Sequence, residues 1–125
     1  MKKILFVAAL VAIVFFWGFS NKAPANVDEL ISKEEIYVFI QKGCRHCIAA
    51  EKYLKKAYPK LKVDLRDISK ERNLTMFFAC GAKFGLNKFE MGTPLFCMGD
   101  KYIMGWSNEE QKKFDTYVKD FLPKK

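Results

Sequence analysis

The stretch Ile36-Tyr37-Val38-Phe39-Ile40-Gln41-Lys42-Gly43-Cys44-Arg45-His46-Cys47-Ile48 decides how the chain folds. Its first five residues are apolar, rich in β-branched and aromatic side chains, and show no polar alternation. Such a run reads as a strand buried on both faces. Gln41-Lys42-Gly43 breaks it. From Cys47 the spacing turns helical, with Ile48, Tyr53, Leu54 and Ala57 able to share one face, and Pro59 stops the helix. Cys44 and Cys47 therefore sit where a buried strand hands over to a helix.

That position gives the cysteines a chemistry. Two thiols at i and i+3 across a helix N-terminus can reach disulfide geometry without straining the backbone. The first faces unsatisfied backbone N–H groups and the positive end of the helix, which favour thiolate over thiol. Cys44, at the helix mouth, is the expected nucleophile, and Cys47, inside the first turn, the expected resolving cysteine. Arg45 and His46 lie between them and are expected to tune the thiol electrostatically. No metal site is expected. Cys80 and Cys97 are single, His46 is the only histidine and lies inside the motif, and Met76, Met91, Met98 and Met104 are scattered.

Working outward, Leu61, Val63 and Leu65 alternate with Lys62 and Asp64 and predict a second strand. Residues 69–84 predict a second helix, capped by Ser69 and ended by Gly85. Residues 95–98 and 101–104 predict two short strands around a Gly99-Asp100 hairpin turn. Ser107 or Asn108 caps a last helix carrying Phe114, Tyr117, Val118, Phe121 and Leu122. Asn26 and Asp28 can cap a short helix through Lys33 at the front. The order β-α-β-α-β-β-α predicts a mixed four-stranded sheet with helices on both faces.

The N-terminus reads differently. Lys2 and Lys3 precede Ile4–Phe19, which carries no charge, and a small-x-small triplet ends at Ala25. These are the parts of an export signal. Sixteen helical residues span about 24 Å, short of a ~30 Å hydrocarbon core. Phe15-Phe16-Trp17 nevertheless suit an interfacial anchor. Residues 1–25 are thus expected to be a signal peptide or an N-terminal membrane anchor, and residues 26–125 one domain. That domain is placed in the periplasm or another extracytoplasmic space, secreted or tethered by residues 4–19.

The chain of 125 residues has a formal net charge of +8, of which residues 26–125 keep +5. The charge is spread along the chain without a basic run interleaved with aromatics, which argues against nucleic acid as a partner. Half of the residues are hydrophobic, enough for a core without disulfide staples. A monomer is expected.

One further element carries a resemblance. Thr93-Pro94 precedes the third strand. Together with Val38-Phe39-Ile40, Cys44-x-x-Cys47, the Met98-Gly99-Asp100-Lys101 hairpin and Gly105, it makes residues 35–120 resemble the thioredoxin superfamily, the glutaredoxin branch most closely. The resemblance implies a thioredoxin-like, three-layer α/β/α sandwich. It implies a cis Thr93–Pro94 bond facing the cysteines, with Thr93 and Pro94 binding the substrate strand through backbone. No bound cofactor is required. Glutaredoxins usually carry Gly-Gly followed by an acidic pair that holds glutathione; here Met104-Gly105-Trp106-Ser107-Asn108 stands there, and the missing carboxylates argue against glutathione. Gln41 replaces a common lysine. The Cys-x-His-Cys form is similar to that of exported disulfide oxidases and isomerases.

Cys80 falls late in the second helix and Cys97 in the strand after Pro94. They read as a second disulfide, as two separate buried thiols, or as a relay pair. Phe77, Phe78, Phe84, Phe89 and Trp106 read mainly as core, with Trp106 and Phe89 the candidates to line a groove beside Cys44. The expected function is an exported thiol–disulfide oxidoreductase acting on cysteine-containing exported proteins, recycled by a redox partner that the sequence does not name. The alternatives are a non-catalytic binding module of the same fold and a metal or iron–sulfur carrier.

Overall fold

Ile36–Ile40 (β1) is apolar toward both sides, so it needs cover on both sides, and it lies inside the sheet. The computed structural model of the chain describes residues 30–123. The elements after β1 are α1 (Arg45–Ala57), β2 (Asp64–Asp67), α2 (Glu71–Lys83), β3 (Leu95–Met98), β4 (Lys101–Met104) and α3 (Asn108–Tyr117), continued by a 3-10 turn over Val118–Phe121. The sheet order is β2-β1-β3-β4. β2 joins β1 in parallel, and β3 and β4 are antiparallel, as the connection lengths require.

Alternation within β1 divides the core between the two faces. Ile36 and Val38 pack with Ala50 and Leu54 of α1, Phe96 of β3 and Phe114 of α3. Tyr37 and Phe39 pack with Met76, Phe77 and Cys80 of α2 and with Leu95 and Cys97 of β3. The result is an α/β/α sandwich. Each large apolar side chain buried in it contributes about 1.5–3 kcal/mol. The reversals follow from glycine. Gly99 holds a φ of +65° in the β3–β4 turn, and a Cβ there would lie 3.1 Å from the Lys33 carbonyl oxygen.

Several expectations change. β2 begins at Asp64 rather than Leu61, and Leu65 is 44% exposed. Leu65 does point to the α1 side, opposite Val38, but β2 is the sheet edge and α1 does not cover it. On the other face Arg66 donates to Asp64 Oδ2 from Nη2 at 3.0 Å and to Asn73 Oδ1 at 3.2 Å, tying β2 to α2 through polar groups. Ser69 does not cap α2: its N–H donates to Asp67 Oδ1 (2.9 Å), and the N-cap is Lys70. This bond holds the Asp67 carboxyl below its ordinary range. Ser107 is the N-cap of α3, but its hydroxyl donates to Glu110 Oε2 (2.8 Å) instead of capping the backbone. The front helix expected to run through Lys33 does not reach it: of its described residues Leu30 is helical and Ile31, Ser32 and Lys33 are not. Residues 26–29 and the leader within residues 1–25 lie outside the described residues. Among the described residues no helix is long and apolar enough to cross a membrane.

One polar clamp joins α1 to α3. Tyr53 and Tyr58 hydroxyls both donate to Asp115 Oδ1, each at 2.7 Å. Tyr53 lies 5.6 Å from the Trp106 ring, centroid to centroid. The carboxylate and burial push both phenols above their ordinary value, so they stay protonated as donors through the neutral range.

Candidate active site

The turn between β1 and α1 delivers the cysteines. Gly43 takes a φ of +80°, which lets the chain reverse direction immediately before Cys44. The Cys44 N–H donates to the Gln41 carbonyl (3.2 Å), and Cys44 becomes the N-cap of α1. Its Sγ accepts the Cys47 N–H at 3.1 Å, the bond that a serine or aspartate side chain makes at ordinary helix starts. Cys44 is half-buried, while Cys47, one turn in, is 2% exposed. The two are joined as a disulfide with Cα atoms 5.2 Å apart.

Thr93 faces this pair from the other side of the cleft. The Thr93–Pro94 peptide is cis. Thr93 Oγ1 lies 3.5 Å and its carbonyl oxygen 3.6 Å from Cys44 Sγ. Two neighbours hold this loop. The Gly105 N–H donates to the Pro94 carbonyl (2.8 Å), and the Gly92 N–H donates to Met104 Sδ (3.4 Å). Residues separated by 49 positions thus converge on one sulfur.

The other predicted residues fall out as follows. Arg45 and His46 are exposed on the first turn of α1, and among the described residues neither makes a hydrogen bond or an ion pair. Trp106 is core, tilted against the Phe96 ring (centroids 5.5 Å apart) and edge-on to Phe114 (6.3 Å), rather than the wall of a groove. Phe89 is 85% exposed, with Lys88 Nζ 5.2 Å from its ring centroid. Phe78 is also largely exposed. Cys80 and Cys97 are both fully buried and form a disulfide between α2 and β3, with Cα atoms 6.4 Å apart. This pairing departs from two separate thiols and fits a structural staple and a relay pair alike.

Gly92 and Met104 brace the Thr93–Pro94 loop, and sequence reasoning missed both. The thioether-to-amide bond has no sequence signature, because methionine is a weak acceptor of no fixed spacing.

This geometry can be compared with that of solved proteins. The chain aligns with the crystal structure of a glutaredoxin from Archaeoglobus fulgidus at a TM-score of 0.51 and 18% identity, covering 68% of this chain and 89% of that one. It aligns with the buckwheat glutaredoxin–glutathione complex at a TM-score of 0.54 and 15% identity, covering 78% and 86%. The chain has a glutaredoxin-like fold. The glutaredoxin-like domain carries its Cys-x-x-Cys at the start of α1, with the cis-proline loop opposite, an arrangement that points to thiol–disulfide chemistry. No protein-family model matches the sequence, and no curated protein sequence matches it.

Proposed function

We propose that the glutaredoxin-like domain is an exported thiol–disulfide oxidoreductase that exchanges disulfides with cysteine-containing proteins through Cys44. The observation that carries this reading is the asymmetry of the pair. Cys44 is reachable and lies beside Thr93, while Cys47 is buried behind it.

In the reducing direction the Cys44 thiolate attacks one sulfur of a substrate disulfide. A Cys44–substrate bond forms, and the other substrate sulfur leaves as a thiolate. The Cys47 thiolate then attacks Cys44 Sγ. The intramolecular disulfide forms, the second substrate sulfur leaves, and two electrons have passed to the substrate. Oxidation of a substrate dithiol runs the same steps backward. The Cys47 N–H, aimed at Cys44 Sγ, stabilises negative charge on that sulfur whenever its bond opens. Thr93 Oγ1 adds a second donor. Thr93 and Pro94 would hold the substrate strand. A buried second disulfide supports an oxidising, extracytoplasmic site of action, in keeping with the export-type residues 1–25.

Equilibration of the purified protein against glutathione redox buffers tests the reading and gives its direction. The Cys44–Cys47 pair is expected to titrate as one two-electron couple between about −120 and −270 mV. The upper end of that window marks an oxidase or isomerase, and the lower end a reductant. A pair that does not exchange at all would leave the binding-module reading.

A further inference from the structure

Helix α1 runs from Cys44 to the far end of the domain, and there its surface turns strongly basic. From Lys52 to Val63 the chain carries Lys52, Lys55, Lys56, Lys60 and Lys62 and no acidic residue. All five lysines are exposed. The ion pairs among the described residues are Arg66–Asp64, Lys101–Asp100 and Lys101–Asp120, and none draws on these lysines. Four of them, Lys55, Lys56, Lys60 and Lys62, sit in the last turn of α1 and the turn that follows it, opposite the Cys44 end. Acidic groups also stand at this end: Glu51 lies on α1, Glu34, Glu35 and Asp64 share a groove with Lys62, Asp115 accepts from the Tyr58 hydroxyl, and Asp120 lines a groove with Phe121.

Apolar groups lie between the charges. Tyr58, Pro59, Leu61, Phe121 and Leu122 line a shallow cavity of about 430 Å³ together with Lys60 and Lys62. Pro59 and Leu122 are exposed. Lysines around accessible apolar side chains are the composition of a surface that rests on anionic headgroups. The route of the chain agrees. Glu34, Glu35 and Ile36 line one groove with Leu61 and Lys62, so the chain enters the domain at this same end. Residues 20–29 separate the uncharged Ile4–Phe19 from Leu30, and ten residues reach at most about 35 Å. A bilayer holding residues 4–19 would lie within reach of the lysine-bearing end of the domain.

We propose that this end, carried by Lys55, Lys56, Lys60 and Lys62 around Pro59, Leu61 and Leu122, docks on an anionic lipid surface. The test uses the full chain with vesicles of phosphatidylcholine alone and of phosphatidylcholine mixed with phosphatidylglycerol. Brief acetylation followed by mass spectrometry reads each lysine, with the exposed Lys112 and Lys113 of α3 as internal references. In the anionic vesicles the four lysines should react about fivefold more slowly than the references, the factor that corresponds to about 1 kcal/mol of attraction per lysine near an anionic surface. The slowing should disappear in high salt, where exposed charges are screened. Equal slowing in both lipids, slowing in neither, or protection by added duplex DNA but not by vesicles overturns the proposal.

Discussion

Cys44→Ser is expected to reduce disulfide exchange to the uncatalysed background. The other three cysteines are closed to an incoming disulfide: Cys47, Cys80 and Cys97 are all buried. Only Cys44 combines exposure with the helix start and with Thr93. The substitution also separates chemistry from folding. Serine is among the best N-cap residues, so its hydroxyl can take over the hydrogen bond from the Cys47 N–H. The variant should therefore keep its thermal stability, apart from what the short Cys44–Cys47 loop contributes. The rate at which the protein accelerates insulin reduction by dithiothreitol gives the readout. Exchange persisting well above background would move the nucleophile to Cys47 and remove the basis of the mechanism.

The second large effect concerns stability. Cys80 and Cys97 join α2 to β3 across 17 positions of sequence, and both are buried. Closing a loop of about that length stabilises a fold by ~3 kcal/mol in the chain-entropy account. For a domain of this size each kcal/mol moves the melting temperature by about 4–8 °C. The Cys80→Ala/Cys97→Ala double variant should therefore melt about 12–24 °C lower in non-reducing buffer. Exchange through Cys44 should survive in it at temperatures where it stays folded. A shift of only a few degrees would mean that the staple contributes little, and the case for an oxidising site of action would lose its structural support.

Much of the architecture was readable because local signals agreed with the tertiary outcome. Ile36–Ile40 has one reading, a doubly buried strand, and its abrupt end at Gly43 places Cys44 at a helix start. Pro59, Gly85 and Gly99-Asp100 punctuate the chain where the structure bends. β2 was misplaced for an instructive reason. Leu61, Val63 and Leu65 alternate as an inward face should, yet the sheet ends there and pairing with β1 starts only at Asp64. Alternation reports which side a residue faces and not whether anything covers that side. Ser69 looked like a cap because serine suits one, but Asp67 two residues earlier captured its N–H.

At the site, Cys44 and Cys47 were readable because their chemistry is local. Thr93 and Pro94 came through resemblance, since nothing in a Thr-Pro pair says that it will face residue 44. The Tyr53–Tyr58–Asp115 clamp and the Gly92–Met104 bond were out of reach, because each depends on partners brought together only by the finished fold. Arg45 and His46 stand at the intended place but, among the described residues, touch no partner.

The most direct measurement is to map the bond formed by Cys47→Ser. With the resolving thiol gone, the reduced variant should stall as a mixed disulfide when offered a protein disulfide. Peptide mass mapping without reduction then identifies the attacking residue. The mechanism requires one linkage, substrate cysteine to Cys44, released by dithiothreitol and absent from Cys44→Ser/Cys47→Ser. A linkage through Cys80 or Cys97, or no linkage at all, would contradict it.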